Sequence, residues 1–214
     1  MNWAWLSANG GRIFHLALDH LLIALPAVAL AFIVAVPLGW LANRSGAARE
    51  VLVVLTSLIY VVPSLAMFIL MPLVLGTSIL SPLNVVAAMV LYGIALMVRS
   101  AADAFGAVPQ DVRQSAAAAG YPPFKRVAAV ELPLAGPGLL SGLRVATAST
   151  ISLVSVGALI GVQSLGTLFT EGFQRSFPTE ILAGLIGTVV LAVAVDAVLV
   201  ILGRAAMPWT KARS

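Results

Sequence analysis

The chain has 214 residues, of which 61% are hydrophobic and 9% charged, and its mean hydropathy is +1.06. Because soluble domains carry about 25% charged residues, this composition excludes an ordinary soluble domain and predicts a protein of the lipid bilayer. The net charge of +4 does not indicate nucleic-acid binding, since the basic residues flank apolar segments and form no patch with interleaved aromatics. The lack of cysteine excludes disulfides and thiolate metal sites.

Charged residues divide the chain into apolar segments that match the length needed to cross a hydrocarbon core of about 30 Å. We therefore predict an all-α, polytopic membrane protein with five transmembrane helices in one domain, residues 20–204. A loop at the Gly76 to Pro82 cluster is expected to join the second and third spans. The predicted spans cover residues 20–43, 51–75, 82–98, 145–170 and 181–203.

Residues 1–19 are expected to form an external interfacial segment, with Trp3 and Trp5 at the level of the lipid headgroups. They lack the features of a signal peptide, so the first span is expected to remain in the mature protein. His15 and His20 would stand about 140° apart on a helix. No metal site is therefore predicted, and both histidines are expected at the interface.

The second predicted span contains Pro63 followed by Ser64. Proline removes one helical hydrogen bond and leaves the Ile59 carbonyl in need of another partner, which Ser64, a neighbouring helix or a water could supply. A kink is expected here. Two interpretations stay open: a hinge or path-lining point at Pro63 and Ser64, or a packed proline kink.

The longest polar interruption, residues 111–133, lies between the third and fourth spans and is predicted to form a helical hairpin. Asp111 is expected to cap the first helix, with Gln114 reaching back as in a capping box. Gly120 permits the left-handed turn that ends this helix. The second helix is expected to begin at the Pro122 and Pro123 pair and to end at Leu132 and Pro133. This shape suits docking rather than catalysis.

The last two predicted spans carry polar residues. Small and hydroxyl side chains share one face of the fourth span, at Ala148, Ser149, Ser152 and Ser155. This face has two possible roles: it packs against another helix, or it lines a translocation path. Asp196 is the one acid inside a predicted span, with Arg144 or Arg204 as possible partners. Two interpretations of Asp196 stay open. Its carboxylate either points into the bundle, where serine hydroxyls satisfy it, or takes part in transport.

The basic residues predict the orientation. Ten of the twelve lie in the loops 44–50 and 99–144 or in the tail from Arg204, so these parts are expected to face the cytoplasm. Arg12 and Arg175 alone lie on the opposite side. The N-terminus is thus predicted outside, and the hairpin and the tail of residues 205–214 inside.

The hairpin resembles the EAA loop of ABC importer permeases. In that loop Glu-Ala-Ala, three residues, Gly, nine residues, a β-branched residue, one residue and Leu-Pro follow in order. The matching residues are Gln114, Ser115, Ala116, Gly120, Val130, Leu132 and Pro133. Gln114 replaces the usual Glu and Ser115 the first Ala. The resemblance implies that the hairpin, including Asp111, is a coupling helix that inserts into a groove on a separate ATPase subunit.

Two further stretches are similar to permeases that import glycine betaine, carnitine and choline: Pro63 to Leu65, and the run from Gly161 to Gly166. Gln163 stands where a glycine is usual and is a candidate path or gate residue. The resemblance implies a permease subunit that imports a small compatible solute by alternating access, such as glycine betaine, choline, carnitine or proline betaine. It also implies three protein partners: a cytoplasmic ATPase, a second permease chain and an external solute-binding protein.

No phosphate-binding G-x-x-x-x-G-K-[ST] motif and no hydrolase motif occurs, so ATP hydrolysis is expected on another subunit. We expect no catalytic residue and no cofactor on this chain. Five helices are too few to enclose a solute path, which favours an association of two chains about a twofold axis. We expect this assembly in a bacterial cytoplasmic membrane, in contact with lipid. Nucleic acid is not an expected partner. The alternatives are a permease for another solute such as methionine, or an ATP-independent secondary transporter or membrane scaffold.

Overall fold

The computed structural model describes residues 1–209, in which the regular secondary structure is helical, without a strand. Lys211 and Arg213, counted above among the basic residues of the tail, lie outside the described residues. The helices are α1 Trp3–Ala42, α2 Gly46–Val61, α3 Ser64–Leu75, α4 Pro82–Gly106, α5 Gln110–Ala118, α6 Pro123–Arg126, a π-helix Val127–Glu131, α7 Leu132–Val154, a 3-10 helix Ser155–Ile160, α8 Thr167–Gln174 and α9 Pro178–Ala206.

Four helical segments of the described chain are long and apolar enough to cross a membrane: α1, α4, the continuous stretch Pro123–Ile160, and α9. A fifth is the pair formed by α2 and α3, which is bent by 102°. The predicted all-α class is confirmed. By length and composition, the expected five spans correspond to four helices and one broken pair.

Helix α1 runs through the boundary expected at residue 19 without a break. Its 40 residues extend about 60 Å at ~1.5 Å per residue, roughly twice the thickness of a hydrocarbon core. The expected separate segment 1–19 is therefore helical and continuous with the first span. Gly10 and Gly11 do not interrupt it, and neither is in a conformation that requires glycine.

Helix α4 lies at the centre of the fold and contacts α1, α2, α3 and α7. Small residues allow its backbone to approach α1 closely, as is common between membrane helices. A Cβ added to Gly39 would lie 2.4 Å from the Cβ of Ala101, and one added to Gly93 would lie 2.5 Å from that of Ala31. The two helices therefore pack as a rigid pair.

Helix α9 packs against α7 and α8 at the edge of this bundle. Much of its apolar surface is exposed on the isolated chain, including Leu185, Val189 and Val193. In a bilayer, lipid or another chain would cover this surface.

Candidate functional site

The first helix of the hairpin between α4 and α7 begins two residues earlier than its sequence predicted. Pro109 occupies the N-cap position without a side-chain capping bond, and Asp111 lies in the first turn of α5. The expected capping box at Asp111 and Gln114 is therefore wrong. Pro109 holds the extended backbone (φ −58°, ψ 140°) from which the helix starts, so no side-chain cap sets the boundary. The Asp111 carboxylate still lies near the positive end of the helix dipole.

The turn of the hairpin is the one that the sequence predicted. Gly120 has φ +82°, its N–H donates to the Ala117 carbonyl (3.0 Å), and the Tyr121 N–H donates to the Ala116 carbonyl (3.1 Å). These bonds form a Schellman motif, which closes the end of α5. A Cβ on Gly120 would meet no atom within 4 Å, so the backbone conformation, not the available space, requires glycine.

The second helix of the hairpin begins at Pro123, as predicted, but it does not end at Leu132 and Pro133. Helix α6, the π-helix and α7 are continuous. The Leu132 N–H bonds to the Val127 carbonyl across the wider π turn, just before Pro133. A proline ring clashes with the carbonyl four residues earlier in a regular α-helix, and the wider turn relieves that clash. Leu132 and Pro133 thus join the hairpin rigidly to the fourth long helix.

The residues of the hairpin motif divide between an exposed and a packed side. Gln114 and Ser115 are exposed, Ala116 is buried, and Val130 and Pro133 are half-buried. Aromatic surface is also presented to the outside, because the Phe124 side chain is 86% exposed. Gln114 borders a 540 Å³ cavity that Arg113 and Arg126 also line. The hairpin therefore exposes polar and aromatic side chains, and two half-buried arginines line the neighbouring cavity.

The base of the hairpin contains a buried acid that the sequence reasoning missed. Glu131 is 5% exposed and accepts a hydrogen bond from Trp40 Nε1 on α1 (3.3 Å to Oε2). Arg126 Nε lies 3.4 Å from its other oxygen, as an ion-pair contact. The sequence does contain a signal for this burial, because Glu131 is flanked by the apolar Val130 and Leu132.

The proline break in the second span is sharper than the expected kink. The Ile59 carbonyl accepts from the Val62 N–H (3.3 Å), and the Val62 carbonyl accepts from the Tyr92 hydroxyl of α4. The neighbouring helix α4 thus supplies a hydrogen-bond donor, as one of the expectations had it, but the donor bonds to the Val62 carbonyl rather than to the Ile59 carbonyl. Pro63 is exposed and Ser64 half-buried at the break.

The small-residue face of α7 points away from the bundle of this chain. Ala148 and Ser152 are exposed, whereas Thr147 and Thr150 face inward and are buried. Ser155 is half-buried, and its Oγ has no hydrogen-bond partner. At Ala148 and Ser152 the face is therefore open to a solute or to another chain, whereas the Ser155 hydroxyl is buried within this chain.

Asp196 forms a two-pronged ion pair with Arg144, across the contact between α9 and α7. Arg144 Nε lies 2.6 Å from Oδ1 and Nη2 lies 2.7 Å from Oδ2. Of the two partners considered, Arg144 is correct, and satisfaction by serine hydroxyls is wrong. Arg144 lies one turn before Ala148, so the ion pair continues the exposed face that includes Ser152.

Gln163 lines a 440 Å³ cavity at the end of the bundle opposite the hairpin. Asp19 and Leu22 of α1, Leu83 of α4 and the turn at Gly161 contribute to the same walls. No cation within the described residues pairs with Asp19. The cavity thus combines one unpaired carboxylate and one amide with mainly apolar walls.

The same end of the molecule carries a compact charge cluster. Arg12 contacts Glu171 (2.6 Å) and Glu180 (3.2 Å), and Arg175 also contacts both acids (2.6 and 2.7 Å). The hydrogen bond to Glu171 raises the pKa of Arg12 above its ordinary value. The two basic residues predicted for the outer side therefore meet in one neutral cluster that connects α1 to α8 and α9.

The two histidines lie in different environments. His15 is exposed, but His20 is fully buried, with Nε2 2.8 Å from the carbonyl of Ile151 on α7. The expected interfacial position is therefore wrong for His20, which connects two helices instead. No group of three or more potential metal ligands occurs in residues 1–209.

Comparison with solved structures identifies the class of fold. Two structures of inward facing conformations of the MetNI methionine ABC transporter match with TM-scores of 0.77 and 0.79 at 18% identity. The matches cover 87% and 90% of this chain, and 92% and 95% of the matched chains. The fold is that of an ABC transporter membrane subunit.

Residues 27–211 match the family described as binding-protein-dependent transport system inner membrane component, and the chain belongs to this family. It is therefore a multi-pass protein of the inner membrane. The resemblance to permeases of the osmoprotectant group is confirmed by three relatives.

The choline transport system permease protein OpuBB of Bacillus subtilis is 28% identical, over 95% of this chain and 93% of its own. The glycine betaine/carnitine/choline transport system permease protein OpuCD of the same organism is 31% identical, over 97% and 90%. The osmoprotectant import permease protein OsmW of Salmonella typhimurium is 32% identical, over 88% of both chains.

Proposed function

We propose that this chain is the permease subunit of an importer for small quaternary ammonium solutes, such as choline, glycine betaine, carnitine or proline betaine. The observation that carries the proposal is its similarity, over nearly its whole length, to permeases named for choline, for glycine betaine and carnitine, and for osmoprotectants. The family description also names a dependence on a binding protein. An external solute-binding protein is thus one expected partner.

The energy would come from a separate cytoplasmic ATPase that receives the hairpin in a groove. Three features support this: the exposed Gln114 and Ser115, the 86% exposed Phe124, and the rigid continuation of the hairpin into α7. Because Gln114 is uncharged, its contact with the ATPase would be a hydrogen bond rather than an ion pair. The sidedness follows the basic residues, with the hairpin in the cytoplasm and the Arg12 cluster outside.

The solute path would lie between two such chains. The exposed face of Ala148 and Ser152, with the Asp196 ion pair beside it, supplies polar groups that a single chain leaves uncovered. At the outer end, the cavity of Asp19 and Gln163 would receive the solute from the binding protein. One carboxylate among apolar walls suits a quaternary ammonium group, which carries charge but has no N–H to donate. The break at Pro63 and Ser64 would act as a hinge during alternating access.

A permease for methionine is the nearest alternative, because the matching solved structures carry that name. At 18% identity this likeness concerns the fold alone, whereas the relatives at 28% to 32% identity name osmoprotectants. Uptake of labelled choline, glycine betaine and methionine, in cells with and without this chain, separates the two. Uptake of methionine alone would contradict the proposed solute class.

The coupling role is tested by purification of the chain with a tagged ATPase subunit. We expect Gly120→Val to abolish copurification, because a β-branched residue at φ +82° distorts the turn. Gly120→Asn is the matched control, since asparagine tolerates the left-handed conformation, and it should retain the ATPase. Solute uptake at full rate without any ATPase would support a secondary transporter and overturn the proposal.

A further inference from the structure

The junction between the hairpin and α7 holds a buried carboxylate that the proposed function does not yet use. Glu131 is the last residue of the π-helix and is 5% exposed. A buried charge is costly unless other groups pair with it, so its partners determine which arrangements of the junction are stable. Those partners come from two different parts of the chain.

One partner belongs to the end of the first helix. Trp40 Nε1 donates to Glu131 Oε2 (3.3 Å) from a position 91 residues earlier in the chain. The Arg44 guanidinium covers the Trp40 ring at 4.1 Å from its centroid, which holds the indole in place. The other partner, Arg126, belongs to the hairpin and lies 3.4 Å from Oε1. The carboxylate thus connects the hairpin to α1.

The π turn sets the register of this connection. A π turn contains one more residue than an α turn, and π-bulges are frequent at functional sites. Conversion of the turn to α-helix would shift the register by one residue, about 1.5 Å along the axis and about 100° around it. Such a shift would carry Glu131 away from Trp40, so the hydrogen bond stabilises the π state.

Movement of Trp40 would act directly on α4, the helix at the centre of the fold. Gly39, the residue before it, packs so closely on α4 that an added Cβ would lie 2.4 Å from the Ala101 Cβ and 2.8 Å from the Ala102 backbone nitrogen. Tightly packed interfaces transmit displacement instead of absorbing it. Movement of the hairpin could therefore pass through Glu131 and Trp40 to α1 and α4.

We propose that Glu131 is a positioning residue that couples displacement of the hairpin to α1 through its hydrogen bond with Trp40. This inference rests on the proposed function, because it assumes that an ATPase displaces the hairpin. Glu131 touches no solute in this role. It determines how much of the ATPase movement reaches the transmembrane helices.

The test measures ATP hydrolysed per solute transported, in proteoliposomes that contain the complete importer. Trp40→Phe keeps the ring under Arg44 but removes the N–H donor, and Glu131→Ala removes the acceptor. We expect each to raise the ratio about two- to thirtyfold, the range for loss of one coupling contact. The double variant should be no worse than either single variant, because both break the same bond. Glu131→Gln keeps an acceptor for Trp40 and should largely preserve the ratio.

Two control variants separate coupling from general damage. Trp3→Phe changes an exposed tryptophan at the other end of α1, and Glu180→Gln changes a fully buried carboxylate in the charge cluster opposite the hairpin. Neither should alter the ratio. If Trp40→Phe and Glu131→Ala retained a normal ratio with the ATPase bound, the coupling role would be overturned and the proposed function would stand. If the unmodified chain bound no ATPase, the proposed function itself would fail.

A second measurement applies if a variant assembles poorly. The chain has no cysteine, so spin labels can be placed at Leu41→Cys and Ala118→Cys, both exposed positions, and their separation measured in detergent. We expect one narrow distance distribution for the unmodified background and a broad one with Trp40→Phe. Equally narrow distributions in both would contradict a connection between the hairpin and α1.

Discussion

Single charged residues in the apolar part of this chain depend on partners that lie far away in sequence. Asp196 and Arg144 are 52 residues apart, yet both carboxylate oxygens meet the guanidinium. Such a fork geometry is the strongest form of this pair. Removal of one partner leaves a charge without compensation in an apolar environment, whereas removal of both leaves none.

We therefore expect Asp196→Asn to lower the Tm of the purified chain in detergent by several degrees and to reduce uptake. The double variant Arg144→Gln with Asp196→Asn should recover much of the lost stability. Asp103→Asn, whose partner Arg49 is exposed at the hairpin end, serves as the control and should change little. A double variant less stable than Asp196→Asn alone would contradict this account.

At the scale of elements, the pair formed by α2 and α3 shows how a broken span is held. The break frees backbone groups within an apolar environment, where each unpaired carbonyl is costly. The Tyr92 hydroxyl satisfies the Val62 carbonyl, and the Tyr60 ring packs edge-on against Tyr92 with centroids 5.8 Å apart. One helix thus stabilises the bend in another.

Tyr92→Phe removes this bond and retains the ring. We expect the free energy of unfolding to fall by about 1–3 kcal/mol, the cost of a buried acceptor left unpaired. Tyr60→Phe is the matched control, since its ring belongs to the same aromatic pair but its hydroxyl does not bond to the break. Unfolding of the purified chain in mixed detergent micelles provides the measurement. Equal effects of the two variants would mean that the hydroxyl bond does not hold the bend.

At the scale of the whole molecule, the two ends of the bundle differ in chemistry. One end carries the neutral cluster of Arg12, Arg175, Glu171 and Glu180 together with the Asp19 cavity. The hydrogen bond to Glu171 raises the pKa of Arg12 further above its ordinary value. The other end carries the hairpin and most of the other basic residues of the described chain, and under the proposed orientation it faces the cytoplasm.

The orientation can be measured directly because the chain lacks cysteine. Ser78→Cys and Ser115→Cys place single thiols at exposed positions on opposite ends of the bundle. We expect an impermeant thiol reagent to label residue 78 in intact cells and residue 115 only after the membrane is opened. Labelling of residue 115 from outside would reverse the proposed orientation and remove the hairpin from the ATPase.

Sequence alone was sufficient where the physics is local. Apolar segments between charges predicted the helical class, since every backbone group in lipid must be satisfied within its own helix. Gly120 predicted the left-handed turn because few other residues adopt that conformation. The motif from Gln114 to Pro133 predicted the family by its spacing. An acid at position 196 predicted a basic partner, because a lone charge there is too costly.

Tertiary structure decided what depends on residues distant in the chain. Which arginine pairs with Asp196, that Trp40 meets Glu131, and that His20 meets Ile151 follow from how α1, α7 and α9 pack. The continuity of α6 into α7 through a π turn also lay beyond local signals, because Leu132 and Pro133 read locally as a stop. The interaction energy of two side chains depends on the distance between them in space. For residues on different helices, that distance follows from how the helices pack and not from their separation in the sequence.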